Sequence, residues 1–266
     1  MNHVILRSMA VLLGLSTGVR AARADERADQ VITMPTAFLL SSMDSQYPAA
    51  ALAARIDHRG AASGRGTLAL GGIAQLTFST DRDVRVCETC TTGETLRTLR
   101  MQQADFRMGA PVNAWFRGQP ALALGVRVAY RAADGVQRNV RAVDAYVVAS
   151  EPIGPVTLHV GVLLQDFASS SNGARVALSD QGLSVRPMLG LEWHPAPYPK
   201  TTLVGDITWV PEVRATGTQQ TWLAGWGVRY QAARRLGVEL SVRHRQDEGL
   251  AATTVLVGAR LAFGPT

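Results

Sequence analysis

Cys87 and Cys90 stand as Cys-Glu-Thr-Cys and are the only two cysteines in 266 residues. A zinc site takes about four ligands, and the surrounding 80–104 segment holds no histidine and no further cysteine. A thioredoxin-like redox pair needs a βαβ setting, which the flanking sequence does not offer. The reading left is a disulfide that staples this polar loop, with no metal. His58, His159, His194 and His244 are the histidines beyond the first 24 residues. His58 follows Asp57, His159 sits inside an alternating apolar segment, and His244 lies close to Asp247 and Glu248. A general base needs a nucleophile and an oxyanion donor within hydrogen-bond reach, and nothing in the sequence fixes a serine beside any of the four. They are expected to be wall or interface histidines, and the chain is expected to be neither an enzyme nor a cofactor protein.

The arginines are more informative. Arg55, Arg107, Arg127, Arg186, Arg229, Arg243 and Arg260 fall on the polar face of alternating segments, with Asp57, Asp144, Glu192, Asp206 and Glu239 on the same face. Guanidinium forks bind carboxylates and hydroxyls in fixed geometry. A row of them interspersed with acids is a lining suited to guiding acidic, polar cargo. Such a lining requires strands that put it all on one side. Leu183, Val185, Pro187, Leu189, Leu191 and Trp193 alternate with Ser184, Arg186, Met188, Gly190, Glu192 and His194. Val156 to Gln165, Leu122 to Arg131 and Trp222 to Gln231 repeat the pattern. Period two is strand periodicity. About twelve strands are predicted, over 32–41, 49–58, 66–79, 105–117, 121–131, 140–151, 155–166, 182–194, 201–210, 221–231, 235–245 and 252–263. Pro35 interrupts the first. Gly71-Gly72 and Gly225-Trp226-Gly227 are read as sitting inside strands, where glycine eases curvature or close approach, not as phosphate loops.

Two architectures fit period two. One is a soluble β-sandwich with its apolar face inward. The other is a transmembrane antiparallel up-and-down β-barrel with its apolar face outward. The arginine-laced polar face, strands long enough for a tilted crossing, and Trp115, Trp193, Trp209, Trp222, Trp226, Tyr130, Tyr230 and Phe263 near strand ends favour the barrel. Val126, Val128, Val160, Val162, Val185, Leu189, Val257 and Ala259 are then expected to face lipid, with Arg127, Gly161, Arg186, Gly190 and Gly258 inward. The connections alternate in length. Segments 80–104, 132–139, 169–181 and 211–219 are assigned to the outer side, with short turns at Gly118-Gln119-Pro120, Pro152-Ile153-Gly154 and Ala232-Ala233-Arg234. His194 to Lys200 is a longer, Pro-rich turn on the inner side. Val255, Val257, Ala259, Leu261 and Phe263 end the chain as an apolar strand closing on an aromatic. This resembles the C-terminal assembly signature of outer-membrane barrels, except that Gly264-Pro265-Thr266 follow the aromatic.

Residues 1–24 read as an export leader. Arg7 supplies the positive region, Ser8 to Val19 a short apolar core, and Ala22-Arg23-Ala24 a small-x-small cleavage site. Residues 25–266 are then one barrel domain, delivered to the outer membrane of a Gram-negative cell. Cleavage removes three arginines and lowers the formal charge from +6 to +3. Of the 27 basic residues only Lys200 is lysine, so the basic balance reflects composition and no nucleic acid is expected. Hydrophobic residues make up 47% and charged residues 18%, which excludes a disordered chain. No apolar run reaches the ~18–20 residues of a spanning helix.

Three stretches resemble YjbH-type outer-membrane barrels: Pro35-Thr36-Ala37, Gly71-Gly72-Ile73-Ala74-Gln75-Leu76, and Gly154-Pro155-Val156-Thr157-Leu158-His159-Val160-Gly161. That resemblance implies an association with exopolysaccharide secretion, with polysaccharide and periplasmic export components as partners beside the membrane lipid. The lining alone is similar to that of small arginine-lined porins for acidic oligosaccharides. The expectation is a passage for polar or anionic cargo. Its alternative is a closed structural or adaptor barrel in which the inward arginines and acids neutralise one another.

Overall fold

In the computed structural model, residues 30, 33–36, 49–70, 73–87, 96–132, 138–171, 174–176, 184–214, 217–246 and 248–263 are described. The expected leader and Cys90 lie outside them, as does the side chain of Cys87. The strands are β1 (Ala49–Asp57), β2 (Ala62–Leu70), β3 (Ala74–Cys87), β4 (Leu96–Ala110), β5 (Ala121–Ala132), β6 (Arg138–Ile153), β7 (Val156–Ser171), β8 (Ala174–Val176), β9 (Ser184–Trp193), β10 (Thr201–Arg214), β11 (Gly217–Ala233), β12 (Leu236–Arg245) and β13 (Thr254–Phe263). Twelve of them close an antiparallel ring, sealed where β1 pairs with β13 and β6 with β7. β8 is a three-residue addition to the far end of β7, and β9 follows β7 in the ring. Ala50 lies opposite Phe263, so β1 begins and β13 ends at one rim, here the terminus end. The opposite rim is the loop end.

The ring has the predicted twelve strands, but three of the predicted segments differ. Of segment 32–41, the described residues 33–36 lie inside the barrel and form no strand of its wall. Pro35 cannot donate to a ladder, and the neighbouring backbone groups find polar partners on the barrel wall instead. Segment 66–79 is not one strand but parts of two. The chain turns back at Ile73, whose N–H donates to Leu70 O (3.3 Å), so that Leu70 faces Ala74 across a tight hairpin. The predicted 105–117 strand ends at Ala110. Pro111 follows, Asn113 and Gly118 take φ of 61° and 89°, and the Trp115 N–H donates to the buried Gln119 amide oxygen (2.9 Å). Trp115 therefore sits on a turn. The predicted connections 80–104 and 211–219 are largely strand instead, because ladder pairing continues through them as far as Cys87 with Leu96 and Arg214 with Gly217 at the loop end, while the shorter predicted turns and the Pro-rich 194–200 turn fall at the terminus end.

Sidedness follows the alternation. Val126, Val128, Val160, Val162, Val185, Leu189 and Val257 are exposed on the outer surface, as is Ala259. Arg127, Gly161, Arg186, Gly190 and Gly258 alternate with them on the inner face. From Val255 to Phe263 the outward residues of β13 span about 20 Å of height, at ~3.4 Å per residue and a ~40° tilt. Phe263, Trp193 and Tyr230 ring the terminus end of this band, and Tyr130 and Trp222 lie toward the loop end. A closed ring leaves no unpaired edge, and with an apolar exterior it is a membrane-spanning barrel.

The inside is not uniform. Toward β4–β7 it holds two apolar clusters. Near the terminus end Met34, Ala121, Ala123, Tyr146, Val148, Leu163 and Met188 form one buried cluster. Near the loop end Val84, Met101, Ala129, Val140, Ala142 and Phe167 form another. Val84 reaches the interior because one extra residue in β3, between Ser79 and Arg82, reverses which residues face inward. Beyond that bulge β3 crosses the mouth. Arg85 and Val86 pair in parallel with Glu212 and Val213 of β10, a strand that stands opposite β3 in the ring. Arg85 also pairs with Glu248. The loop end is thereby bridged.

Candidate functional site

The lumen is where the sequence-predicted residues meet. Its first feature is a stretch of the chain itself. Gln30 and Pro35 form an antiparallel bridge, which makes 30–36 a small hairpin. The Thr33 and Met34 N–H groups both donate to Asp206 Oδ2 (2.5 and 2.8 Å), and Thr33 Oγ1 donates to Asp206 Oδ1 (3.0 Å). Arg107 donates to Thr36 O (2.7 Å) and Arg229 to Gln30 O (2.8 Å). Arg107 lies next to the last lumen residue of β4, and Arg229 pairs with Thr202 at the start of β10. Both stems of the hairpin therefore sit low, and its tip points upward to Asp206. Both described ends of the segment, Gln30 and Thr36, lie toward the terminus end. Met34 is fully buried in the apolar cluster. Four of these five hydrogen bonds grip backbone atoms.

Two polar belts run along the wall at different heights. The lower one begins at Ser150 of β6, whose Oγ is 2.8 Å from His159 Nδ1 on β7. His159 Nε2 lies 3.9 Å from Glu192 on β9. Glu192 accepts from Arg229 (3.4 Å) on β11 and stands 4.0 Å from His194. Arg229 Nε donates to Glu239 on β12 (2.8 Å), and Glu239 accepts from Arg55 on β1 at 3.4 Å. Gly258 makes the last contact possible: a Cβ there would lie 2.8 Å from Arg55 Cγ. The second belt links Tyr146, whose hydroxyl donates to Asp105 (2.7 Å), with Arg127 on the same carboxylate (3.3 Å). Arg127 also approaches Asp144 (4.0 Å), which accepts from Gln165 (2.9 Å), and Gln165 in turn accepts from Gln220 (2.6 Å). The Tyr146 ring lies directly over Gly125.

Two cavities stand out among the described residues. One, of about 120 Å³, lies on the β1, β2, β12 and β13 side against Gln30, and is lined by Arg55, Arg65, Lys200, Arg229, Arg260 and Glu239. The other, of about 90 Å³, lies nearer the loop end among Arg100, Arg127, Arg243, Arg245, Asp144 and Glu248. Of the predicted lining, Arg55, Arg229, Arg260 and Glu239 border the first cavity and Arg127 and Arg243 the second. Glu192 and Asp206 are buried in the wall contacts just described. Arg107 lines no open space, because the lumen hairpin covers it. Arg186 stacks over the Trp209 ring (5.2 Å to its centroid) where β9 and β10 part toward the loop end. His244 faces outward beside Trp222 (5.9 Å between rings). Ser150, Arg65, Asp105 and the 30–36 hairpin were not anticipated. Asp105 was findable, since it shares the parity of Arg107. Arg65 fell just outside a misplaced strand boundary. Ser150 was findable from the tight β6–β7 turn, which fixes residue 150 opposite 159. Among the described residues no group of three or more His, Cys, Asp or Glu could hold a metal ion.

No family model matches the chain, and no curated protein matches it. Several solved structures share its overall shape. An active-site mutant of outer membrane phospholipase A from Escherichia coli aligns at TM-score 0.46 and 11% identity over 92% of this chain and 99% of that one. OmpT of Vibrio cholerae with loop L8 deleted aligns at 0.42 and 12%, over 82% and 98%. OpdK of Pseudomonas aeruginosa with vanillate aligns at 0.37 and 14%, over 76% and 57%. The likeness is to barrel architecture alone.

Proposed function

We propose that this barrel sits in the outer membrane as a passage for small polar anions, held shut by its own 30–36 hairpin. The observation that carries the reading is how the hairpin is held. It is gripped by Asp206, Arg107 and Arg229, mostly through backbone atoms, and its Gln30 and Thr36 ends lie toward the terminus end. A plug held this way is withdrawn by a pull from that side without unfolding the wall. The cations uncovered, with Arg55 and Arg260 beside them, then line the path. Guanidinium groups interspersed with acids pass carboxylated or phosphorylated cargo without trapping it. Acidic saccharides are the cargo class this lining and the YjbH-like stretches favour, and a periplasmic export component is the partner that would withdraw the plug. We read the Ser150–His159–Glu192 set as wall packing and not as a hydrolase, because all three residues are 0–1% exposed and a nucleophile must reach its substrate.

Planar-bilayer conductance tests this. The full chain should conduct little. A variant lacking residues 25–48 should conduct, with anion selectivity that Arg55→Gln and Arg260→Gln together weaken. A folded deletion variant that does not conduct would overturn the passage. That result would support a second reading, a closed scaffold barrel, which the β3–β10 bridge across the loop end favours.

A further inference from the structure

The ring closes at every joint, but unequally. β10 pairs with β11 over fourteen residues and β9 with β7 over ten. β9 and β10 hold one another over five only, 189–193 against 203–207. The sequence stops the ladder there. Lys200 gives its carbonyl to the Gln231 N–H on the β11 side. Backbone groups alternate in the side they face along an antiparallel strand, so the odd-numbered residues of β10 turn to β9. Continuing the register past Ile207 and Leu189 sets Trp209 against Pro187 and Pro211 against Val185. Each of these pairings needs an N–H from both residues, and one residue of each is a proline, which has none. The Trp209 side chain fills the joint instead. Its indole N–H donates to Pro187 O (2.8 Å), and Arg186 stacks on the ring (5.2 Å to its centroid). Higher up, β10 leaves β9 altogether. β11 keeps one of its edges as far as Arg214, and the other is taken at Glu212 and Val213 by β3, the strand that crosses the mouth.

The joint lies within the apolar band. Pro187 stands about 15 Å above Trp193, at ~3.4 Å per residue and a ~40° tilt, and Val185, Leu189 and Ile207 are exposed on the outer surface around it. On the inner side Trp209 lines the cavity of about 90 Å³ near the loop end, where Leu163, Val210 and Leu223 continue an apolar lining. One indole therefore borders both the lipid-facing joint and the interior cavity. We infer that the β9–β10 joint is a lateral port, closed by the Trp209 ring, through which the acyl chain of a membrane amphiphile enters the loop-end cavity. The position names the occupant, since hydrocarbon lies against the joint and the lining just inside is apolar. Opening breaks one side-chain hydrogen bond and one cation–π contact, whereas parting β10 from β11 at the same height breaks ladder bonds. The port depends neither on the 30–36 hairpin nor on an axial passage, and its readout is not conductance.

The test is photolabelling of the full chain in phosphatidylcholine vesicles that carry a minor share of a phosphatidylcholine with a diazirine at the end of one acyl chain. Light turns the diazirine into a carbene that inserts into side chains it touches, and peptide mass spectrometry locates the adducts. Outward Val185 and Ile207 should be labelled in every variant. Adducts on inward Thr208, Val210 and Leu223 are expected as well, with none on Ala129 and Ala142, which lie inward under the continuous β5–β6 ladder. Trp209→Ala should raise the inward adducts about tenfold, the effect of losing one hydrogen bond and one cation–π contact. Trp209→Phe, which keeps a ring without the donor, should raise them less. Pro187→Val with Pro211→Val returns both missing donors and should lower them. Retained heat-modifiable migration on gels shows that each variant is folded. Inward labelling that is absent from both the parent and Trp209→Ala, equal at Thr208 and Ala129, or unmoved by the Trp209 and proline substitutions would overturn the port. Should Trp209→Ala fail to fold, Trp209→Phe and the proline pair carry the same comparison.

Discussion

Gly125 is the position at which one methyl group should do the most damage. A Cβ added there would lie 2.2 Å from Cζ of Tyr146, 2.4 Å from its hydroxyl and 2.7 Å from Cε1. Carbon atoms settle at ~3.5–4.0 Å, so the ring must retreat by more than about 1 Å. Tyr146 is fully buried and its hydroxyl bonds Asp105 at 2.7 and 3.0 Å. Arg127 stacks over the same ring, 5.4 Å from its centroid. Displacing the ring gives up a hydrogen bond to a charged group, ~1.5–3 kcal/mol, and adds overpacking of ~1–3 kcal/mol. Gly125→Ala should therefore destabilise the barrel by about 3–5 kcal/mol. Tyr146→Phe, which loses only the bond, should cost about 1.5–3 kcal/mol. Gly205→Ala meets nothing nearer than Gly225 O at 3.6 Å and should stay within about 0.5 kcal/mol of the parent. Urea unfolding in lipid vesicles, followed by tryptophan fluorescence, reads all three. In a Tyr146→Ala background the added methyl meets no ring, and Gly125→Ala should become nearly neutral, a coupling of about 2 kcal/mol or more. Additive effects, or a Gly125→Ala variant no weaker than Gly205→Ala, would refute the ring-over-glycine account.

Val162→Arg and Val257→Arg each place a charge in hydrocarbon and should cost about 2–4 kcal/mol near mid-depth, seen as loss of heat-modifiable barrel on gels, whereas the inward Gly190→Ser should be mild. Asp206→Ala removes the acceptor of both hairpin N–H groups, and segment 25–48 should become protease-sensitive in the folded barrel while strand cleavage stays unchanged. Glu239→Gln leaves Arg55 and Arg229 without their shared carboxylate and should destabilise by about 1.5–3 kcal/mol in urea unfolding, more than Arg55→Gln, which leaves Glu239 its bond to Arg229. His159→Ala should lower stability without changing any esterase or lipase readout, since His159 is a wall residue bonded to Ser150.

The chain alone determined its sidedness. Period-two alternation has one consequence in a closed sheet: Val160 and Val162 to one side, His159 and Gly161 to the other. Shifting the register by one residue would put Arg127, Arg186 and Arg260 into lipid. That cost made the barrel, its outer face and most of its inward arginines legible before any coordinate. Strand ends were less so, because Gly71-Gly72 breaks a pattern whose parity continues on both sides, and Pro111 stops a strand that apolar content would have extended to Trp115. What only the tertiary structure decided is what the inward groups meet. Arg55 finds Glu239 across two strand pairings and a glycine notch, Asp105 finds Tyr146 through Gly125, and Asp206 finds the backbone of Thr33 and Met34 from 172 and 173 residues away. Those partners are set by ring closure and by the hairpin that fills the lumen. A local pattern records which way a side chain points, and it carries no information about the distant strand or segment waiting there.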